Sequence, residues 1–170
     1  LLRGTFGSVL VSFLLEITRD IFSFKDVKTG NFLVDMIRDV ARSKGTGKWT
    51  SQEAMDLEVP IPTIDAAVST RNLSKLKALR VELNKSKAQH PVSTSISVED
   101  VKSAYYFSMV SAYAQGMHML KQASVAYEYD LDLANISKIW RGGCIIRSKF
   151  LRDMYAAYNA NPDLLHLFQD

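Results

Sequence analysis

The sequence predicts an all-α fold, a helical bundle with one long central helix. Apolar residues recur at steps of three and four along almost all of the 170 residues, which is the helical period. No segment shows a sustained alternation of apolar and polar residues bounded by hairpin turns. The chain holds only 8 glycines and 4 prolines, so breaks between helices are few and easy to recognise. We therefore expect one helical domain over residues 1–170, large enough to bury a core.

The first half of the chain is predicted to contain four helices, at 8–24, 32–41, 51–57 and 63–87. Thr50 and Glu53 have the spacing of a capping box, which places the start of the third helix after Thr50. Pro60 and Pro62 end that helix, because proline disfavours the helical conformation in the residue before it. In the fourth helix the apolar residues are expected to face inward: Ile64, Ala67, Val68, Leu73, Leu76, Leu79 and Leu83.

The second half begins with a polar stretch at 86–97, which we interpret as an exposed loop. Ser97 and Asp100 then resemble a helix cap, and the helical pattern that follows runs over 98–129. Because this helix is apolar on most sides, it is expected to be surrounded by neighbours or covered by another subunit. Gly116 within it predicts a close neighbouring helix. Two shorter helices are predicted at 133–140 and 146–158.

The most informative motif is KGTGKW at residues 44–49. Its two glycines allow successive backbone N–H groups to face one small concavity, near the Thr46 hydroxyl and a lysine. Such a group of donors suits a phosphate or a carboxylate. The motif is not a Walker A loop, because Arg42 and Trp49 stand where that loop needs glycine and serine or threonine. The alternative is an ordinary turn between helices with solvated lysines.

Composition and charge narrow the classes of function. The formal net charge is +3 and the basic residues are spread along the chain, which does not favour nucleic-acid binding. Cys144 is the single cysteine, so a disulfide framework and a cysteine-based zinc cluster are excluded within this chain. The three histidines lack metal-ligand spacing, so no metal is expected. The apolar run at 9–17 is too short to span a bilayer. We expect a cytoplasmic protein without membrane contact.

Several strings, taken together and in order, carry a family resemblance. They are SFLLEITRDIF at 12–22, KGTGKWT at 44–50, SAYAQGM at 111–117, IWRGGCIIRS at 139–148 and NPDLL at 161–165. In this order and spacing the chain resembles part of the C-terminal all-helical domain of 6-phosphogluconate dehydrogenase. The sequence departs from the family pattern at Arg42, where a small residue is usual, and at Val11, where an acidic residue is usual.

The resemblance implies an enzyme of the pentose phosphate pathway. Such enzymes oxidise 6-phosphogluconate with NADP and decarboxylate the product to ribulose 5-phosphate, as homodimers and without a metal. The glycine-rich GxGxxG fingerprint does not occur in the sequence, so the Rossmann domain and its NADP site are expected outside residues 1–170. The family's catalytic lysine and glutamate fall in a segment before Leu1, so no catalytic residue is assigned within the chain.

Carried over by position, the resemblance implies that Lys44, Thr46 and Arg71 hold the substrate, chiefly its phosphate. Their ammonium, hydroxyl and guanidinium groups suit a phosphate dianion. Without the resemblance, Arg71 reads as a solvated or ion-paired helix residue. Two alternatives to an enzyme remain at this point: a non-catalytic helical dimerisation module and a helical anion-binding regulator.

Overall fold

The computed structural model of the protein describes residues 10–85 and 95–169, and these form a series of α-helices. Within the described ranges, β-structure is limited to two isolated bridges. The all-α prediction is therefore confirmed. The helices are α1 Phe13–Ser23, α2 Thr46–Asp56, α3 Pro62–Leu73, α4 Lys77–Lys85, α5 Val98–Ala126, α6 Leu133–Ile139 and α7 Phe150–Ala160, with short 3₁₀ helices at Leu33–Met36 and Leu167–Gln169.

The long central helix is α5, with 29 residues. The predicted cap is confirmed: the Asp100 amide donates to Ser97 Oγ at 3.1 Å, and the Ser97 amide donates to Asp100 Oδ2 at 2.9 Å. This reciprocal pair satisfies amides that the first turn leaves without helical partners. The helix ends three residues before the predicted boundary, where Glu128 has a positive φ of 55° that is incompatible with a continuing helix.

The principal core lies between α5, α6 and α7. Met117 of α5 and Leu151 of α7 are completely buried, and Phe150 packs against them. Tyr113 adds a polar tie, because its hydroxyl donates to the carbonyl oxygen of Ile146. This half of the molecule therefore holds most of the buried apolar surface that stabilises the described structure.

A smaller core lies between α2, α3 and another face of α5. It is built on Ala54, Val59 and Ile61, with Met119 of α5 packed against them. The Thr63 amide donates to Gln115 Oε1 at 2.9 Å, and Gln115 Nε2 donates to Thr63 Oγ1 at the same distance. Helix α5 is thus shared by both cores.

The predicted helix over 32–41 is wrong. Phe32 forms a β-bridge with Lys25, the chain makes a short 3₁₀ helix over Leu33–Met36, and the backbone is extended at Ile37. Beyond that point the Ala41 amide donates to Ser74 Oγ at 2.8 Å instead of to a carbonyl of its own turn. Tertiary bonds have replaced the local helix.

The predicted start of the third helix is also wrong. Helix α2 begins at Thr46, four residues earlier than the proposed cap at Thr50. Thr50 lies inside the helix and donates to the Thr46 carbonyl at 2.9 Å. The Glu53 carboxylate does not return to its own helix start but accepts a hydrogen bond from the Tyr127 hydroxyl at 2.5 Å, which ties α2 to the end of α5.

The predicted helix over 63–87 is two helices. The chain breaks between α3 and α4, where tight turns run from Leu76 N to the Leu73 carbonyl and from Lys75 N to the Asn72 carbonyl. The prediction that the apolar side chains face inward fails for α4, because Leu79 and Leu83 are 51% and 55% exposed. It holds only in part for α3, where Ile64 and Val68 are half-buried but Ala67 is exposed.

Four further expectations have mixed outcomes. Helix α7 begins at Phe150, not at 146, because the preceding Ser148 forms a β-bridge with Ser12. The close neighbouring helix predicted at Gly116 is not found among the described residues, where a Cβ built at this position meets nothing within 4 Å. Large apolar side chains of α5, such as Phe107 and Val125, are exposed. Most of the predicted loop at 86–97 lies outside the described residues.

Candidate functional site

The glycine turn before α2 forms the N-terminal end of that helix. Gly45 is the N-cap residue with a φ of 112°, a conformation that residues with a side chain rarely adopt. A Cβ at Gly45 would stand 3.1 Å from Cζ2 of the Trp49 ring, so the indole also requires glycine. Thr46 is consequently the first helical residue, and no side chain caps this end of α2. Its first amides remain available to an anion, which the helix dipole favours.

Close packing fixes this helix start against α3. A Cβ at Gly47 would lie 3.0 Å from Cγ2 of Val68, which shows how closely the two helices approach. Val68 lies one turn before Arg71 on α3, and residues three apart share a helix face. The packing therefore brings the Thr46 end of α2 to the side of α3 that carries Arg71.

Arg71 reaches back to the chain just before the glycine turn. Its Nη2 donates to the carbonyl oxygen of Arg42, two residues before Lys44. Ser74 reinforces the contact, because its hydroxyl donates to the Arg71 carbonyl at 2.7 Å and accepts the Ala41 amide. The guanidinium and the predicted anion turn thus belong to the same corner of the molecule.

An ion-pair cluster holds the segment that leads into this corner. Asp39 pairs with Lys77 Nζ at 2.8 Å and with Arg80 Nη2 at 3.0 Å, both from α4. The hydrogen bond from Lys77, followed by that from Arg80, lowers the pKa of Asp39 to about 2. Asp39 is consequently a carboxylate at neutral pH and fixes the segment to α4.

The surface beside the turn is cationic. A recess of about 460 Å³ is lined by Arg38, Val40, Arg42, Ser43 and Lys75. Three of these side chains are cations, and Lys44 is exposed next to them. No carboxylate lines this recess, because the nearby Asp39 is already paired with α4. Exposed cations around free helix amides are a chemistry for binding anions, phosphate above all.

The structure places all three predicted site residues at this corner. Lys44 and Thr46 flank Gly45, and Arg71 contacts the backbone at Arg42. The sequence analysis did not predict the supporting roles of Asp39 and Ser74. The Arg-Asp pair at 38–39 was a visible signal of a charge cluster, but nothing in the sequence indicated that Ser74 would bond to Ala41.

Among residues 10–85 and 95–169, no three His, Cys, Asp or Glu side chains gather as metal ligands. No described helix has both the length and the apolar character needed to cross a bilayer.

Comparison with known proteins identifies the family. Residues 6–170 match the family model described as 6-phosphogluconate dehydrogenase, C-terminal domain. The chain is 45% identical to 6-phosphogluconate dehydrogenase, decarboxylating 1, of rice, Oryza sativa subsp. japonica, over 95% of this chain and 35% of the rice protein. It is also 45% identical to the NADP(+)-dependent, decarboxylating enzyme of Bacillus subtilis, with the same coverage. The chain thus spans about a third of the length of these relatives.

A solved structure shows the same fold. It is the 6-phosphogluconate dehydrogenase of Plasmodium falciparum, studied in its apo form, with its cofactor NADP+ and with its substrate 6-phosphogluconate. It superposes with a TM-score of 0.88 and 40% identity over 99% of this chain and 38% of the Plasmodium chain. The chain belongs to the 6-phosphogluconate dehydrogenase family and corresponds to part of its C-terminal helical domain.

Proposed function

We propose that this chain supplies the substrate-holding helical part of an NADP-dependent, decarboxylating 6-phosphogluconate dehydrogenase. The reaction oxidises the C3 hydroxyl of 6-phosphogluconate with transfer of a hydride to NADP, and the resulting β-keto acid loses CO₂ to give ribulose 5-phosphate. The observation that carries the proposal is the bond from Arg71 to the Arg42 carbonyl, because it holds a guanidinium beside the uncapped turn of Lys44 and Thr46.

The role of this chain's residues is to bind and orient the substrate. Lys44 supplies an ammonium, Thr46 a hydroxyl and a helix-start amide, and Arg71 a guanidinium. Together they neutralise the phosphate dianion and fix one end of the sugar acid. Holding that end sets the position of C3 relative to the groups that carry out the chemistry, which is how a remote binding contact contributes to rate.

NADP is assigned to a region outside the described helices. A dinucleotide site needs a strand, a glycine-rich turn and a helix in succession, and residues 10–85 and 95–169 contain no such unit. No step of the reaction is therefore assigned to a cofactor contact in this chain.

We also propose that the protein is a cytoplasmic homodimer assembled through its helices. Support comes from α5 and α4, which expose large apolar side chains that a monomer would normally bury. Phe107 is 67% exposed and Val125 is 73% exposed on α5, and Leu83 is 55% exposed on α4. Sedimentation equilibrium of the gene product measures this directly, and a monomer at micromolar concentration would contradict it.

The test of the substrate site is the Arg71→Ala change in the gene product that contains this chain. Loss of a charge-assisted hydrogen bond to phosphate is worth about 1.5–3 kcal/mol, so we expect 6-phosphogluconate to bind about 10- to 100-fold more weakly. Helical content by circular dichroism should remain nearly unchanged. Lys138→Ala, an exposed lysine change on α6, is the matched control.

Two results would count against the proposal. Equal affinity of Arg71→Ala and unsubstituted protein for 6-phosphogluconate would remove Arg71 from the site. Absence of NADPH formation from 6-phosphogluconate by the unsubstituted gene product would favour a binding or dimerisation module instead of the enzyme.

A further inference from the structure

A second cationic cleft lies where α1 and α7 begin side by side. The Phe13 amide donates to the Arg147 carbonyl at 3.0 Å, and the Lys149 amide donates to the Val11 carbonyl at 2.9 Å. These two bonds form the bridge between Ser12 and Ser148. Helix α1 starts immediately after one side of the bridge and α7 shortly after the other. The N-terminal ends of both helices therefore lie beside the same cleft.

The cleft has a volume of about 290 Å³, and its lining is strongly basic. One carboxylate, Glu16, also lines it. The cations in its wall come from the α6–α7 connection and the first turn of α7: Arg141, Arg147, Lys149 and Arg152. None of the four forms an ion pair within the described part of the chain, where every ion pair lies elsewhere. Four unpaired cations facing one carboxylate leave a net positive field in a concave site.

One of these cations is held rigidly in place. The Arg147 guanidinium stacks on the Phe13 ring, with its central carbon 3.5 Å from the ring centroid. Its Nη1 also donates to the Cys144 carbonyl at 3.1 Å. A guanidinium fixed by stacking and a backbone bond loses little freedom when it binds, so part of the entropic cost of recognition is already met.

The two helix starts differ in their side-chain caps. Ser12 caps α1, because its Oγ accepts the Leu15 amide at 3.2 Å. The N-cap of α7 is Lys149, whose side chain makes no capping bond. The Arg152 amide nevertheless donates to the Lys149 carbonyl at 3.0 Å, and the Ser148 hydroxyl lies 3.0 Å from the Tyr113 hydroxyl. The charged side chains are therefore the donors that face the cleft. Guanidinium and ammonium groups match the oxygens of a phosphate.

We propose that this cleft binds a small phosphomonoester anion at a site separate from the Lys44 corner. The two sites share no lining residue. The volume of the cleft is sufficient for a phosphate group with a small organic body. The inference depends on the cleft alone and not on the proposed enzymatic activity.

The test is titration of the gene product that contains this chain with inorganic phosphate, followed by calorimetry and amide chemical shifts. Arg141→Gln with Arg152→Gln removes two charges from the cleft while leaving the stacked Arg147 in place. We expect the affinity for phosphate at this site to fall at least about tenfold. Lys138→Gln, an exposed lysine change on α6, is the matched control and should bind phosphate normally.

A Lys44→Ala variant separates this proposal from the proposed substrate site. Binding that survives Lys44→Ala but is lost in the double arginine variant supports the cleft. Binding lost only in Lys44→Ala, or in both variants alike, overturns a separate site, and so does the absence of any phosphate binding. If the double variant fails to fold, the amide chemical shifts of Ser148 and Lys149 in the unsubstituted protein provide the test. Shifts that do not change on adding phosphate would overturn the proposal that the cleft binds it.

Discussion

At the scale of single residues, the proposed substrate site depends on Lys44. A side chain that contacts the substrate phosphate stabilises the bound ground state and the transition state about equally. Loss of that contact therefore chiefly raises KM. We expect Lys44→Ala to raise the KM for 6-phosphogluconate about 10- to 100-fold, in line with a lost charge-assisted hydrogen bond. A smaller fall in kcat would follow from misorientation. Steady-state kinetics of the gene product measures both, and an unchanged KM would exclude Lys44 from the site.

Two glycines allow a paired test of backbone conformation. Gly45→Ala places a Cβ against the Trp49 ring at a φ of 112°, so we expect it to lower the free energy of unfolding by about 1–3 kcal/mol. Gly116→Ala meets open space inside a helix, and we expect it to raise the free energy of unfolding by up to about 1 kcal/mol. Urea unfolding measures both. Destabilisation by Gly116→Ala would show that a partner subunit or another part of the protein packs on that face of α5.

At the scale of elements, the segment before the glycine turn depends on Asp39. Its pairing with Lys77 and Arg80 lowers the folded-state pKa from 3.8 to about 2. A depressed pKa contributes stability that is present above the unfolded value and is lost as pH falls through the folded value. We therefore expect Asp39→Asn to lower the denaturation midpoint near pH 7, and the difference from the unsubstituted protein to vanish between about pH 4 and pH 2.

The control for this measurement is Asp35→Asn, an exposed carboxylate of the 3₁₀ helix with no ion pair in the described structure. It should unfold like the unsubstituted protein across the same range. A deficit of Asp39→Asn that persists unchanged at pH 2 would mean that the ion pairs do not cause it.

The elements that were predicted correctly are those with local causes. The start of α5 depends on Ser97 and Asp100, two residues three apart whose bonds close within one turn. The segment over 32–41 failed because its helical spacing was opposed by bonds to α3 and α4, such as Ala41 to Ser74. A single sequence contains no signal for a partner more than thirty residues away. The position of Lys44 and Thr46 was predictable from the motif, whereas the contact of Arg71 with Arg42 required the structure.

At the scale of the whole molecule, burial predicts an uneven response to truncation of side chains. Met117 is completely buried in the principal core, whereas Leu79 on α4 is half-exposed. We expect Met117→Ala to cost about 2–5 kcal/mol of unfolding free energy and Leu79→Ala to cost well under half of that. Urea unfolding of the two variants at one protein concentration gives the comparison. A large effect of Leu79→Ala would indicate that a partner subunit or another part of the protein covers α4.

The two cores meet at a single turn of α5. Met117 belongs to the principal core and Met119 packs on the smaller one, two residues along a helix that turns about 100° per residue. A rotation or register shift of this turn would disturb the packing on both sides at once. Amino-acid substitutions among related proteins should therefore be more restricted at this turn than at either end of α5. A change in the packing of one core at this turn requires a matching change in the other.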